Sequence, residues 1–378
     1  MSKPFFRRFT KRTMIALNVM TGILFILGCY VRYFDVASWW FLGLLNLAVP
    51  YLFIVLALFI FFWAFAKPFW VLISFLVFAF TFKPLQQIFS FHLPNNFSLN
   101  KEPGTFRVMS WNVELFNILS HKAHPERRQE MFDLINHYNP DIACFQEVVA
   151  GSKKNSINYF PDIINTLKFT DYLYSYQLRF DFDGNHHFGI LILSKFPVTR
   201  KQTMVNNPDD YNSTFQFVDL CIGKDTVRVF NLHLQSLKFS EESWQYLDKG
   251  RKKTGENIRE SRSIITKIKT GIIKRASQAD FIKDEMNHSP YPIILCGDFN
   301  DVPLSYAYET IGEGLQNAFV KKGFGISRTF SGISPTLRID NIFTSSKFEI
   351  TQYTRIKKIL SDHFPIIADM KINIADSL

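Results

Sequence analysis

Five short polar groups stand at the ends of apolar runs in this 378-residue chain. They are Ser110-Trp111-Asn112, Phe145-Gln146-Glu147, Asn231-Leu232-His233, Gly297-Asp298-Phe299-Asn300 and Ser361-Asp362-His363. Asp340 adds a carboxylate inside the apolar run from Ile339 to Phe343. Amide and carboxylate oxygens are the donors that a hard cation such as Mg²⁺ prefers. Carboxylates and imidazoles also move protons. The inventory is therefore one of metal binding and proton transfer.

Each group alone has a plainer explanation. Asn112 reads as a turn residue, Glu147 as a surface strand end, His233 as a structural hydrogen-bonder and Asp298 as an Asx turn. The local patterns go further. Gly297 permits a close backbone approach, and Asp298 and Asn300 face the same side at a spacing of two. Neighbours in an extended segment point opposite ways, so Asp362 does not orient His363. A distant acid must do that.

In this order, within residues 105–372, the motifs resemble the endonuclease/exonuclease/phosphatase family of DNase I-like phosphoesterases. The resemblance implies a four-layered α/β sandwich, with two mixed β-sheets face to face and helices outside. The catalytic groups would gather at one edge. It implies a Mg²⁺ cofactor, with Mn²⁺ as the alternative, held by Asn112, Glu147 and Asp362. It gives His233 a contact to the scissile phosphate and a part in protonating the leaving oxygen. Asp298 would position or deprotonate the attacking water, and Asn300 would stabilise the phosphoryl oxygens. Asp340 would fix the tautomer of His363, the candidate general base. An acidic partner for His233 is expected between Asp171 and Asp183. Glu114 departs from the pattern, because DNase I-like members often carry Arg there and some apurinic/apyrimidinic endonucleases Asp. It is expected to add to metal binding or to hold a water network.

Fold does not choose the substrate. A nuclease acting on phosphodiester bonds is the leading expectation. A phospholipid or sphingomyelin phosphodiesterase and an inositol-phosphate phosphatase are the alternatives. The non-enzymatic alternative is an inactive membrane-anchored binding protein, against which the completeness of the polar set argues.

These side chains need strands to present them. Apolar runs predict strands over 107–113, 140–147, 188–194, 292–296, 339–344 and 364–370. Residues 215–222 and 226–234 predict a hairpin around Gly223-Lys224-Asp225. Helical spacing covers 127–138 and 258–286. Strands with intervening helices indicate an α/β class.

The front of the chain is different. Residues 1–92 read as a membrane region with about three transmembrane helices, over 14–31, 39–66 and 69–89. The first run would be about 27 Å long as a helix, against a hydrocarbon core of roughly 30 Å. A cleaved signal peptide is the alternative for it. Residues 93–104 read as a linker and 105–372 as the catalytic domain. The net charge is +10, of which residues 1–100 carry +7, so it is mainly a topology signal. Lys3, Arg7, Arg8, Lys11 and Arg12 precede the first span. The positive-inside bias then places the N-terminus in the cytoplasm. Three spans put the catalytic domain on the external side of an inner or plasma membrane, whereas two would keep it inside. The expected partners are the lipid bilayer and the phosphodiester substrate, with no protein partner. Residues 238–283 carry twelve Lys/Arg against six Asp/Glu, densest at Lys249 to Lys253. This stretch is either a solvated helix face or a landing surface for lipid headgroups or a polynucleotide. Cys29, Cys144, Cys221 and Cys296 fit no zinc spacing and read as free thiols.

Overall fold

The computed structural model describes residues 3–92, 96–120, 122–151, 160–178, 185–210, 212–237, 254–332 and 334–373. In chain order the strands are β1 (Ser90–Phe91), β2 (Phe106–Asn112), β3 (Ile142–Gly151), β4 (Asp171–Tyr176) and β5 (His186–Ser194). There follow β6 (Val198–Val205), β7 (Thr214–Ile222), β8 (Asp225–His233), β9 (Ile293–Asp298) and β10 (Gln316–Asn317). The last are β11 (Phe324–Gly325), β12 (Asp340–Thr344), β13 (Phe348–Arg355) and β14 (Ile366–Ile372). One six-stranded sheet has the order β13-β14-β2-β3-β5-β4, the other β10-β12-β9-β8-β7-β6. Both are mixed. β2 and β3 run parallel, as do β8 and β9, while the remaining pairs in the two sheets are antiparallel.

Alternation along β2 explains the layering. Val108 points between the sheets, where it meets Ile142, Val218, Val229 and Ile294. Met109 and Trp111 point outward onto Met131, Phe132 and Ile135 of helix Arg127–Tyr138. The other sheet buries its outer face, including Phe230 and Leu295, against Ala279, Ile282 and Met286 of helix Thr254–Asn287. Central strands covered on both faces read as unbroken apolar runs, which is why sequence marks them. The result is the expected four-layered sandwich. The expected hairpin also forms, with Gly223 at φ +63° in a tight turn between Ile222 and Asp225.

The front end is a helical bundle. Helix Lys3–Cys29 and helix Leu42–Ala66 are long and apolar enough to cross a membrane. The third expected span is not one straight helix: Pro68–Phe80 and Phe82–Ile88 meet at 69°. Pro84 explains the break, since its ring clashes with the carbonyl four residues earlier. That carbonyl, Phe80 O, accepts a 2.7 Å bond from Tyr30 Oη instead. Lys11 lies over Trp70, Ser74 donates to Asn18, and Tyr30 meets Phe80, so the first and third segments run the same way. Asn46 bonds to Gly28 O, which sets the second helix antiparallel to the first.

The bundle end that holds Tyr30, Leu42 and Phe80 is docked on the sandwich. Arg32 pairs with Glu309 and Glu313, and Asn46 Nδ2 donates to Pro303 O. Gln87 accepts from Tyr308 Oη, and β1 pairs with β11. Within the expected linker, Ser98 and Leu99 carbonyls accept from Arg107.

Arg107 also donates to Asp369 at 2.7 and 2.8 Å, and both side chains are buried. Asp369→Ala would strand this guanidinium inside the fold. It is expected to cost about 3–5 kcal/mol. A denaturant titration of the full chain measures this, and an unchanged midpoint would contradict it.

Candidate active site

Strand direction gathers the polar groups. β2, β8 and β9 end at one edge of the sandwich, where the antiparallel β12 begins and β3 passes through its bulge. Register then sets neighbours: His233 lies opposite Asp298, and Asp298 opposite Asp340. His363 lies just before β14 and is held by its own backbone. Its carbonyl accepts from Trp111 Nε1 at 3.0 Å, and its N–H donates to Ser361 Oγ at 3.1 Å.

A bulge in β3 separates the duties of two adjacent residues. The register slips between Phe145 and Val148, and Glu147 adopts φ +51°. Gln146 therefore turns inward and donates to Asn231 Oδ1 at 2.7 Å, clamping the two sheets. Asn231 answers with bonds to Phe145 O and Leu191 O. Glu147 is released toward the site. A bulge that re-aims a side chain in this way is a recurrent device near functional sites.

Asp298 is the hub. It is 1 % exposed. Its Oδ2 lies 3.1 Å from Asn112 Nδ2, 3.5 Å from His233 Nε2 and 3.6 Å from His363 Nε2. Its Oδ1 accepts from Asn300 N at 2.8 Å. Asn300 Nδ2 donates to Leu234 O at 3.0 Å, at the end of β8. On the far side of the ring, His363 Nδ1 lies 2.9 Å from Asp340 Oδ2. Asp362, by contrast, turns its charge toward Glu147 and Glu114, and its N–H donates to Glu114 Oε2 at 3.1 Å.

The two histidines differ in charge. Burial pushes His233 down to about 4, so it is neutral. Its Nδ1 has no hydrogen-bond partner among the described residues. Of the acids expected to serve it, Asp171 is paired with Lys201, and residues 179–184 lie outside those described. Burial also opposes a charge on His363, but Asp340 and Asp298 override it and hold the ring well above its ordinary value. Burial raises Asp298 too, against the lowering pull of His363.

Glu147 is pushed up to about 7, by burial first and the charge of Asp362 second. Glu114 is raised by the same two causes. Among the described residues, the grouping of acids and histidines whose ligand atoms all lie within 4.8 Å of one another, and which could hold a metal ion, is Asp298, Asp340 and His363. Beside it Asp362 repels both Glu114 and Glu147, and a divalent cation there would relieve that repulsion. The residues expected as catalytic and those expected as metal ligands thus lie around one hub.

The hub opens into a cavity of about 250 Å³ lined by Glu147, Asp298, Asn300, Asp362 and His363. Arg275, from helix Thr254–Asn287, lines it as well. It is buried and donates to Asp301 Oδ2 at 2.9 Å. Nothing local in the sequence marks this Arg, because only the tertiary fold brings it to the site. The densest basic run, Lys249 to Lys253, lies outside the described residues. Of the later lysines of the same stretch, Lys274 pairs with Asp210 and Lys269 lies over Trp40.

The family model for the Endonuclease/Exonuclease/phosphatase family matches residues 109–363, spanning every strand end that carries these groups. The chain belongs to this family. Members are hydrolases of phosphate esters. A second model, for a domain of unknown function, matches residues 11–88. No match is found among curated proteins. Among solved structures, an endonuclease/exonuclease/phosphatase from Beutenbergia cavernae is similar at 15% identity and TM-score 0.52, covering 71% of this chain and 72% of that one. A family protein from Bacteroides thetaiotaomicron has 17% identity and TM-score 0.52, covering 73% and 98%. The human Nocturnin catalytic domain with bound sulfate anion has 16% identity and TM-score 0.50, covering 71% and 94%. At these identities the likeness concerns the fold alone.

Two measurements check the electrostatics. Asp340→Asn removes the hydrogen-bonded acid that raises His363, so the ring pKa should fall. NMR titration of labelled histidine reads this, and an unmoved pKa would contradict the pairing. Glu147 binds a proton below about 7 in the metal-free protein. The apparent Mg²⁺ affinity should therefore weaken as pH falls through that value, toward about tenfold per pH unit. Calorimetry showing equal affinity at acidic and alkaline pH would remove Glu147 from the ligand set.

Proposed function

We propose that this chain is a membrane-anchored, divalent-metal-dependent phosphoesterase in which water, activated at Asp298, attacks phosphorus. The observation that carries the reading is the convergence of Asn112, His233 and His363 on one buried carboxylate oxygen. Asn112, Glu147 and Asp362 are the proposed ligands for Mg²⁺, or Mn²⁺, with Glu114 beside them. Such a cation supplies charge neutralisation at the phosphoryl group and a lowered pKa for bound water. Asp298 takes a proton from the attacking water, and its raised pKa suits that task. His363, positioned by Asp340, presents a charged ring to the phosphoryl oxygens. Its raised pKa favours this part over that of base. His233 and Asn300 stabilise the same oxygens through hydrogen bonds.

A nuclease acting on phosphodiester bonds is the expectation carried into this proposal, and the chemistry above serves any phosphate ester. For topology, the proposal keeps residues 1–92 as the membrane region, with three spans and the bent pair as the last. The first and third segments run in one direction, toward the catalytic domain. The basic N-terminal end faces away from it, which supports a cytoplasmic N-terminus and an external catalytic domain.

Turnover on a panel of phosphate esters should require Mg²⁺ or Mn²⁺ and stop with chelator. Asp298→Asn should lower kcat by about 10³-fold or more. Absence of metal-dependent turnover on every ester would end the enzymatic reading. A compartment-sensitive reporter fused after Leu378 should be active only outside the cytoplasm. Activity inside would reverse the topology.

A further inference from the structure

One wall of the catalytic cavity is built from the membrane bundle. Gly43 and Leu47, in the first turns of helix Leu42–Ala66, line the same cavity as Asp298 and His363. Ile268 and Ile272 from helix Thr254–Asn287 continue that wall, with Val302 and Phe330 among its other apolar residues. The two helices touch here. A Cβ on Gly43 would meet Ile272 Cδ1 at 2.7 Å, so Ile272 would have to shift to admit one. The pocket thus has a charged, hydrogen-bonding floor and an apolar side.

The depth of this wall can be read from the exposed residues around it. Tyr33, Trp39 and Phe41 lie on the surface just before the second helix, at 73 %, 48 % and 43 % exposure. Exposed aromatics of this kind mark the headgroup level of a bilayer. Further along the same helix Ile54, Leu58, Phe61 and Phe65 are exposed and apolar, as a lipid-facing surface would be. Gly43 and Leu47 lie between these two zones, where headgroup meets acyl chain. A polynucleotide offers only flat base faces, and no acyl chain, to set against Leu47, Ile272 and Val302. A lipid has one, joined directly to its phosphoester.

We propose that the substrate is the phosphoester of a membrane lipid, drawn into the cavity with its phosphate at Asp298 and His363 and its apolar portion along Leu47 and Ile272. This rests on the phosphoesterase reading and narrows it to a substrate class. In the reaction, water oxygen forms a new bond to phosphorus and the bond to the leaving oxygen breaks. One water proton passes to Asp298 and is returned, directly or through solvent, to the leaving alkoxide, so Asp298 ends as it began. Lipid phosphoester and water give an alcohol and a phosphate product, with no redox change. The membrane bundle is then part of the binding site as well as an anchor.

The test uses the full chain reconstituted in phosphatidylcholine vesicles that contain phosphatidylglycerol or phosphatidic acid, with Mg²⁺. Bis(p-nitrophenyl) phosphate, p-nitrophenyl phosphate and a single-stranded oligonucleotide are the soluble esters. Lipid should be hydrolysed faster than every soluble ester. Leu47→Glu and Ile272→Glu place a charge in the apolar wall from two different elements. Each should lower the ratio of lipid to soluble-ester turnover by about tenfold or more. Turnover of soluble esters without lipid hydrolysis, an oligonucleotide outrunning the lipid, or an unchanged ratio in both variants would overturn the lipid inference. In those cases the phosphoesterase reading stands. No turnover of any ester by the wild-type chain would remove that reading, and this inference with it.

Discussion

At the site the two sheets meet through a hydrogen bond between Asn112 and Asp298. Asn112 ends a strand of one sheet, Asp298 ends a strand of the other, and their side chains lie 3.1 Å apart. Asp298 is buried, and an unpartnered carboxylate there would be strongly disfavoured. The flanking groups are therefore as much a condition of the fold as of the chemistry. They hold only because β8, β9 and β12 keep their register. A slip of one residue would turn every side chain to the opposite face. The Gln146–Asn231 clamp, one residue inward, makes that slip harder.

Around this hub the environment assigns different charge states to similar groups. His233 and His363 are both buried, yet one is neutral and the other charged. The difference is Asp340, which of the two rings is hydrogen-bonded to His363. Glu147 and Glu114 are raised by burial and by Asp362. Groups driven apart in this way can divide acid, base and metal-binding tasks within a few ångströms.

Much of this was legible in the sequence, for physical reasons. The central strands are covered on both faces, so they appear as apolar runs ending in a polar residue. β4, β6 and β13 were not anticipated. They are sheet-edge strands, and the exposed stretch Thr199–Thr203 of β6 has no apolar signature. The separation of Asp362 from His363 followed from strand geometry, and the family resemblance supplied Asp340. The bulge at Glu147 and the approach of Arg275 depend on tertiary contacts, which no local pattern carries. The third apolar run was visible but its bend was not assigned, although Pro84 marks where the helix breaks. Hydropathy also gave no sign that the second helix would line the catalytic cavity.

That last feature joins the two halves of the chain. Arg32, Asn46 and Gln87 tie the bundle end to helix Tyr306–Gly312 and to the loop before it, so the helical bundle and the sandwich form one surface. The central claim is that water attacks phosphorus at Asp298. Isotope tracing tests it most directly, with turnover in ¹⁸O-labelled water and mass spectrometry of both products. The account predicts label in the phosphorus-containing product of the wild-type chain, and a rate of labelling lowered about 10³-fold or more with Asp298→Asn. Label in the alcohol, or undiminished labelling in that variant, would contradict it.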